Sequence, residues 1–360
     1  MRVKKPLALH VFSTFAVGGP QVRFAALAAH LGDAWQHMIV AMDGNTACRE
    51  RLPAGLDVSF PDIYHRKGAM LANARAFRRH LKTWRPDVMV TSNWGSIEWA
   101  MANAVPVVRH IHIEDGFGPE ERAVQLPRRV WMRRILLRRV QVVVPSLTLR
   151  KIATEVWRLP SVRYLPNGID LSRFAVARRG AGAVIGTVAA LRAEKNLSRL
   201  LRAFRMIADD VWAELVIVGD GPMGGELRAL ASELGVAARV RFIGHTDRAQ
   251  EFYRDFDIFA LSSDTEQMPL SVLEAMASGL PVAATDVGDV RAMLAADNDD
   301  FVVPQDDARL AAALRGLLVD PARARAIGAA NRQKAARDYD QAAMFAAYET
   351  LLRGDGPWQP

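Results

Sequence analysis

Scarcity defines this 360-residue chain before any motif does. It holds one cysteine, Cys48, which excludes an internal disulfide framework and fits a reducing compartment. Half of its residues are hydrophobic, ample for two cores at this length. Yet none of its apolar runs reaches the ~20 residues needed to span a bilayer. The sequence has no internal repeat, no low-complexity tract and no His/Cys cluster at zinc spacing. Asp255/Asp257 and Asp338/Asp340 have the spacing of a metal-binding aspartate pair. One pair precedes an apolar strand and the other sits in a helical tail, so no metal site is expected. Basic stretches interleaved with aromatics, the mark of single-strand nucleic-acid binders, are absent too. The N-terminus superficially resembles a signal peptide, but His10, Ser13 and Thr14 interrupt its apolar core. A first β-strand and a cytoplasmic protein are the better expectation.

Charge is present in quantity and unevenly placed. Residues 1–174 carry 26 Lys and Arg against 13 Asp and Glu, a net +13, while residues 175–360 are at −5. A basic first half points to an anionic partner there. Short apolar runs, such as 7–12, 37–42, 87–91 and 107–113, alternate with helical patterns at 21–31, 69–84 and 147–157. The alternation restarts after a Gly/Ala-rich linker at 175–183, with strands expected at 184–190, 213–218, 240–243, 258–261 and 281–284. Alternating βα units demand parallel sheets covered on both faces. The expected fold is α/β, with two doubly wound Rossmann-like domains facing across a cleft. The first domain is placed at 1–174 and the second at 183–339, with a helix over about 340–356 able to pack back on the first. In such sheets ligands bind outside the strands' carboxyl ends.

Four segments of the second half meet that rule. Glu266 lies on the loop leaving an apolar strand, and Glu274 lies about one turn into the next helix, which Gly279 and Pro281 stop. Between them a helix N-terminus offers unpaired N–H groups suited to phosphate, and carboxylates accept from paired hydroxyls. The spacing predicts a cradle for a nucleotide sugar. Arg192 and Lys195 follow another strand, where fixed cations can stabilise a departing diphosphate without a metal. Gly219 and Gly221 form a tight turn after a third strand, and Gly244 ends a fourth.

These motifs, with Pro166-Asn167-Gly168-Ile169-Asp170 and Phe174, resemble the retaining, GT-B-fold glycosyltransferases of family four (group 1 glycosyl transferases), over almost the whole chain. The resemblance implies that Glu266 contacts the donor sugar and Glu274 holds the ribose. It implies that amides around Met268, Pro269, Leu270 and Ser271 bind the diphosphate, neutralised by Arg192 and Lys195. Gly18 and Gly19 would approach the donor from the first domain, and His112 would lie near the sugar, with His110 as second choice on the same strand face. Gln267, Val287-Gly288-Asp289 and Asn298-Asp299-Asp300 depart from the family's usual residues and bear on which donor is bound. Glu114 and Asp115 are candidates to orient an acceptor hydroxyl or to take its proton; capping a helix near Pro119 is the equal alternative.

Arg128-Arg129, Arg133-Arg134 and Arg138-Arg139 recur every five residues. A helical wheel puts Trp131, Met132, Ile135 and Leu136 on one face and Arg129, Arg133 and Arg134 opposite, a helix able to lie on anionic lipid or to pack inward with a solvated basic back. The expected function is metal-independent transfer of a sugar, with retention, from a nucleoside-diphosphate sugar to an envelope glycan or lipid-linked acceptor, with no cofactor. An anionic membrane surface is a candidate partner and nucleic acid is not. The alternatives are a nucleotide-sugar epimerase or hydrolase, or a basic membrane- or nucleic-acid-binding module.

Overall fold

The computed structural model describes residues 5–117, 119–121, 124–176 and 183–354. The chain divides into two compact units, Met1–Pro166 with Phe345–Pro360, and Asn167–Met344. Each is built on one wholly parallel sheet, because each strand is followed by a helix or loop that crosses back before the next.

The first unit's strands are β1 (Leu7–Phe12), β2 (Gln36–Ala41), β3 (Val58–Ser59), β4 (Val88–Ser92), β5 (Arg109–Ile113), β6 (Gln141–Val144) and β7 (Val162–Tyr164). They lie in the order β3-β2-β1-β4-β5-β6-β7. Leu9, Val11, Val88, Met89, Val142 and Val144 are buried, as strands covered on both faces require. Helices α1 (Gly19–Leu31), α2 (Met70–Trp84), α3 (Ile97–Ala102), α4 (Pro127–Leu136) and α5 (Leu147–Lys151) supply that cover. The helix expected to run to Trp157 instead changes to a π-turn over Ile152–Val156.

The second unit holds β8 (Ala183–Val188), β9 (Ala213–Val218), β10 (Val240–Gly244), β11 (Ile258–Leu261), β12 (Val282–Thr285) and β13 (Val302–Val303), in the order β10-β9-β8-β11-β12-β13. Its helices are α6 (Leu197–Ala208), α7 (Gly224–Glu233), α8 (Leu270–Ala277), α9 (Val290–Met293), α10 (Asp307–Val319) and α11 (Pro321–Asp338). One face of the sheet packs Leu200, Phe204, Leu215, Ile217 and Leu314; the other packs Tyr253, Phe259, Val272, Met276 and Val282.

The strands β7 and β13 have no counterpart in the sequence reading. They are three and two residues long, too short to carry a period. Residues 167–174, grouped by sequence with the first domain, pack with the second. Ile169 and Phe174 join the core around Tyr253, and Ile169 donates its N–H to the Tyr339 carbonyl at 2.7 Å. From Phe345 on, the last helix, α12 (Gln341–Arg353), is part of the first unit. Arg23 lies 5.8 Å from the Tyr348 ring centre, and Arg109 donates to the Leu351 carbonyl at 2.7 Å and to that of Leu352.

Both sheets reverse their winding direction once, between β1 and β4 and between β8 and β11. At these switch points the loops leaving neighbouring strands part in opposite directions and open a crevice.

Candidate functional site

In the second unit the two loops at the switch point are laced together. The loop after β8 ends in Asn196, whose backbone is left-handed at φ 41° and whose side chain caps α6 by accepting from the Arg199 N–H. That side chain also donates to Asp264 at 3.0 Å. Arg199 donates to the Ser262 carbonyl and to Asp264, each at 2.8 Å. Asp264 returns its own N–H to the Glu194 carbonyl, and the Ser262 hydroxyl donates to the Lys195 carbonyl. Lys195 and Glu266 are thereby brought face to face, with Nζ donating to Oε1 at 2.5 Å. The Ser263 hydroxyl donates to the same oxygen at 2.8 Å. This ion pair is part-buried, so its attraction exceeds that of a solvated surface pair. Arg192 stands exposed on the same loop.

The turn after β9 comes close on the other side. Gly219 has φ 134°, and a Cβ there would sit 2.0 Å from the Ala189 carbonyl oxygen. Only glycine permits that approach. Gly219 donates to the Gly244 carbonyl, so the turns after β8, β9 and β10 form one continuous surface.

Beyond Glu266 the chain enters α8. Pro269 is its N-cap and offers no side-chain bond, which leaves the first-turn N–H groups of Leu270 and Ser271 without a partner from the cap. Met268 is buried and anchors the motif at 166–170: Asn167 donates its backbone N–H to Met268 Sδ at 3.2 Å and its amide to the Met268 carbonyl at 3.3 Å. Glu274, one turn along, accepts from the Tyr253 hydroxyl at 2.6 Å. Burial raises the Glu274 carboxyl above the ordinary range, against the Tyr253 hydrogen bond and the nearby charge of Arg173. Burial raises the Tyr253 phenol as well, with the Glu274 charge adding to it. Tyr253 is a partner the sequence did not disclose: it lies 21 positions from Glu274 in a short 3-10 turn. Asn298, a departure from the family pattern, is fully buried; it pairs with both backbone groups of Val282 and with Asn331.

The first unit has its own set. Gly18 caps α1 with extended backbone, and Gly19 and Pro20 begin the helix. The loop after β4 comes against the loop after β1 at Gly95, where a Cβ would meet the Ser13 hydroxyl at 2.2 Å. His110 and His112 point to one face of β5 and share the Thr91 hydroxyl on β4, at 2.7 and 2.8 Å. A hydroxyl has one proton, so Thr91 donates to one ring and accepts from the other. Both rings are buried. Burial, then the neighbouring His112, push the His110 pKa down to about 3.

Among the described residues Glu114 and Asp115 make other contacts than a helix cap. Asp115 pairs with Arg23 at 2.7 Å and donates its N–H to the Asn93 side chain. Glu114 is fully buried. Its Oε2 lies 3.6 Å from His112 Nε2 and 3.3 Å from Arg133 Nε. Arg133 overturns the helical wheel: it is 1% exposed and faces inward. It grips Glu121 through two 3.0 Å bonds and lies 4.7 Å from the Trp157 ring centre and 5.1 Å from that of Trp94. Arg129 joins from the same side, donating to Glu121 at 3.2 Å over Trp94. Burial alone would raise the Glu121 carboxyl, but the Arg133 and Arg129 hydrogen bonds outweigh it and hold the pKa below the usual range. Conversely, Trp131 and Ile135, expected with Met132 and Leu136 on an apolar face, are exposed.

Comparison with known proteins fits this geometry. Residues 169–334 match the model described as glycosyl transferases group 1, and residues 17–173 match glycosyltransferase family 4. The chain is 30% identical to glycogen synthase of Mycobacterium tuberculosis over 78% of its own length and 72% of that protein's. It is 38% identical to the putative glycosyltransferase EpsF of Bacillus subtilis, over only 35% of this chain and 36% of that one. Among solved structures, Anabaena HepE in complex with UDP-glucose superposes with a TM-score of 0.80 at 16% identity, over 97% of this chain and 99% of that one. With two parallel doubly wound sheets and both halves of the sequence pattern, the chain belongs to the group 1, family-four type of glycosyltransferases and has the GT-B fold.

Proposed function

We propose that the chain is a retaining glycosyltransferase that uses a nucleoside-diphosphate sugar and needs no metal, with an envelope glycan or lipid-linked glycan as acceptor on the cytoplasmic side. The observation that carries the donor assignment is the Lys195–Glu266 pair held beside the N-terminus of α8. Both partners of Glu266 take Oε1, which leaves Oε2 to accept from sugar hydroxyls. The first-turn amides of α8 suit the diphosphate. Glu274, already fixed by Tyr253 through Oε2, accepts from ribose through Oε1. In the reaction the bond from the anomeric carbon to the diphosphate oxygen breaks. The acceptor oxygen forms the new bond on the same face, and its proton passes to the leaving phosphate. Negative charge grows on the diphosphate, where Arg192 and Lys195 stabilise it. The donor complex of HepE with UDP-glucose is compatible with this reading.

Calorimetric titration with UDP, GDP, ADP and CMP, with and without a divalent ion, tests it. Selective binding of one diphosphate without metal is expected and identifies the donor's base. No binding at millimolar concentration of any of the four overturns the donor site, and turnover that a chelator abolishes and a divalent ion restores overturns the metal-free mechanism.

A further inference from the structure

The outer face of α4 carries a pattern unlike a solvated helix. Trp131 is 63% exposed and Ile135 52%. Arg128, Arg138 and Arg139 are exposed on the same stretch; Arg128, Trp131 and Ile135 fall on one stripe of α4 at i, i+3 and i+7, and Arg138 and Arg139 lie in the turn just past its end at Leu136. Just before the helix, Val124 is 75% exposed and Leu126, its N-cap, 41%. Beside Trp131 at i+3, the Arg134 guanidinium donates to the carbonyl of Val156, whose side chain is also exposed. Residues 127–139 contain six arginines and no acid. The nearby carboxylates are already taken: Glu114 and Glu121 by Arg133 and Arg129 on the inward side, and the exposed Glu120 by Arg129.

Folding therefore sorts the arginines. Two are consumed in a buried network, and the rest flank an exposed tryptophan and isoleucine. Leaving such side chains in water gains nothing for the fold, because a large exposed apolar group forgoes burial. An indole beside guanidinium groups matches the boundary between anionic headgroups and acyl chains, where tryptophan is enriched and each arginine is attracted to the surface.

We infer that the Trp131–Ile135 face of α4 docks the protein on an anionic lipid bilayer, with Trp131 and Ile135 inserted and Arg128, Arg138 and Arg139 on the headgroups. The orientation is opposite to that of a helix lying on its most arginine-rich side: Arg133 stays inside the protein. Charge complementarity selects the bilayer over a second copy of the chain, since two such faces brought together would set arginines against arginines.

The test is co-sedimentation of the full chain with vesicles of phosphatidylcholine alone and of phosphatidylcholine with 30% phosphatidylglycerol, beside the W131A/I135A and R138E/R139E variants. All four positions are exposed, and an unchanged melting temperature checks that each variant folds. The wild type is expected on the anionic vesicles only. R138E/R139E is expected to bind roughly tenfold more weakly or worse, given the attraction of each arginine to the surface. W131A/I135A should lose binding at high salt first, where insertion rather than charge retains the protein. Equal binding to both vesicle types, or no effect of either double variant, overturns the proposal. A concentration-dependent dimer that W131A/I135A dissociates overturns it in favour of a second copy. Nucleoside-diphosphate titration of the same variants keeps this inference separate from the donor reading, since binding of nucleotide with no binding of vesicles defeats the docking face alone.

Discussion

Replacing Arg133 by methionine is the sharpest perturbation this structure suggests. Methionine keeps most of the side-chain volume and removes the charge, so the packing against Trp94, Phe117 and Trp157 is largely retained. What is lost is the partner of two carboxylates that have almost no access to water, Glu114 at 0% and Glu121 at 2% exposure. Glu121 loses two 3.0 Å hydrogen bonds and Glu114 one at 3.3 Å. Removing one partner of a buried ion pair costs about 3–5 kcal/mol, because the remaining charge is left desolvated. For a unit of this size that lowers the melting temperature by roughly 6–20 °C. Differential scanning calorimetry of the full chain reads it. R138M, on the exposed side of the same segment, is the control and should stay within about 0.5 kcal/mol of wild type.

The origin of the loss is then separable. If it comes from stranded charge, adding E114Q and E121Q to R133M should restore more than half of it, because neutral amides are far less costly to bury than carboxylates. Equal destabilisation of R133M and the triple variant would assign the loss to packing. An R133M protein as stable as R138M would refute the inward placement itself, and with it the orientation of α4.

Three further outcomes are expected. Lys195→Ala should lower kcat more than it weakens nucleotide binding, since its charge matters most as the diphosphate departs; equal losses in both would mean uniform binding. Glu274→Ala should weaken binding of the bare nucleoside diphosphate, and unchanged affinity in calorimetry would remove Glu274 from the ribose. Acid should destabilise the first unit through its buried neutral histidines. Burial lowers His37 to about 4 and His110 to about 3, and also holds His10 well below the usual range, with His37 adding to the effect. These folded-state values lie below the unfolded 6.5, so the native state binds fewer protons. Their stability is complete above pH 6.5 and falls as pH drops toward 3–4. At pH 5 His37 and His110 each contribute a loss of about 2 kcal/mol, so the melting temperature should fall steeply between pH 6.5 and 5. A flat profile across that window would contradict the buried neutral assignment.

Both domains and nearly every long strand were legible in the sequence because a parallel sheet imposes two simple signals: uninterrupted apolar strands and glycine or a charged residue at their carboxyl ends. The residues 184–190, 213–218 and 258–261 carry them in outline, broken only by Gly186, Thr187 and Glu214 and followed within three residues by Arg192, Gly219 and Asp264, and the observed β8, β9 and β11 start and stop within two residues of them. The positions of the candidates Arg192, Lys195 and Glu266 were legible for the same reason, since they lie on the loops after β8 and β11 at the switch point, whereas Gly219 lies on the turn after β9. What was hidden is contact across unrelated positions. Nothing in local spacing couples Tyr253 to Glu274, Gly95 to Ser13, or Glu121 to Arg133.

The basic helix shows why the hidden part matters. Periodicity assumes that charge seeks water and apolar groups avoid it, so a wheel sends Arg133 outward and Trp131 inward. The fold reverses both because three conditions meet only in space. Two carboxylates converge from the end of β5 and from the turn before α4, aromatic rings from Trp94, Phe117 and Trp157 surround the guanidinium, and a planar fork can bind Glu121 with two bonds at once. A lysine at 133 would satisfy the same wheel but neither the bidentate bond nor the stacking. Arg133→Lys should therefore recover little of what Arg133→Met loses, whereas on a solvated basic face the two residues would be interchangeable. With Arg133 committed inward, a helix of period 3.6 has no choice but to turn Trp131 and Ile135 to the outside. The exposed apolar pair is a consequence of the buried charge, and the two should be lost or kept together.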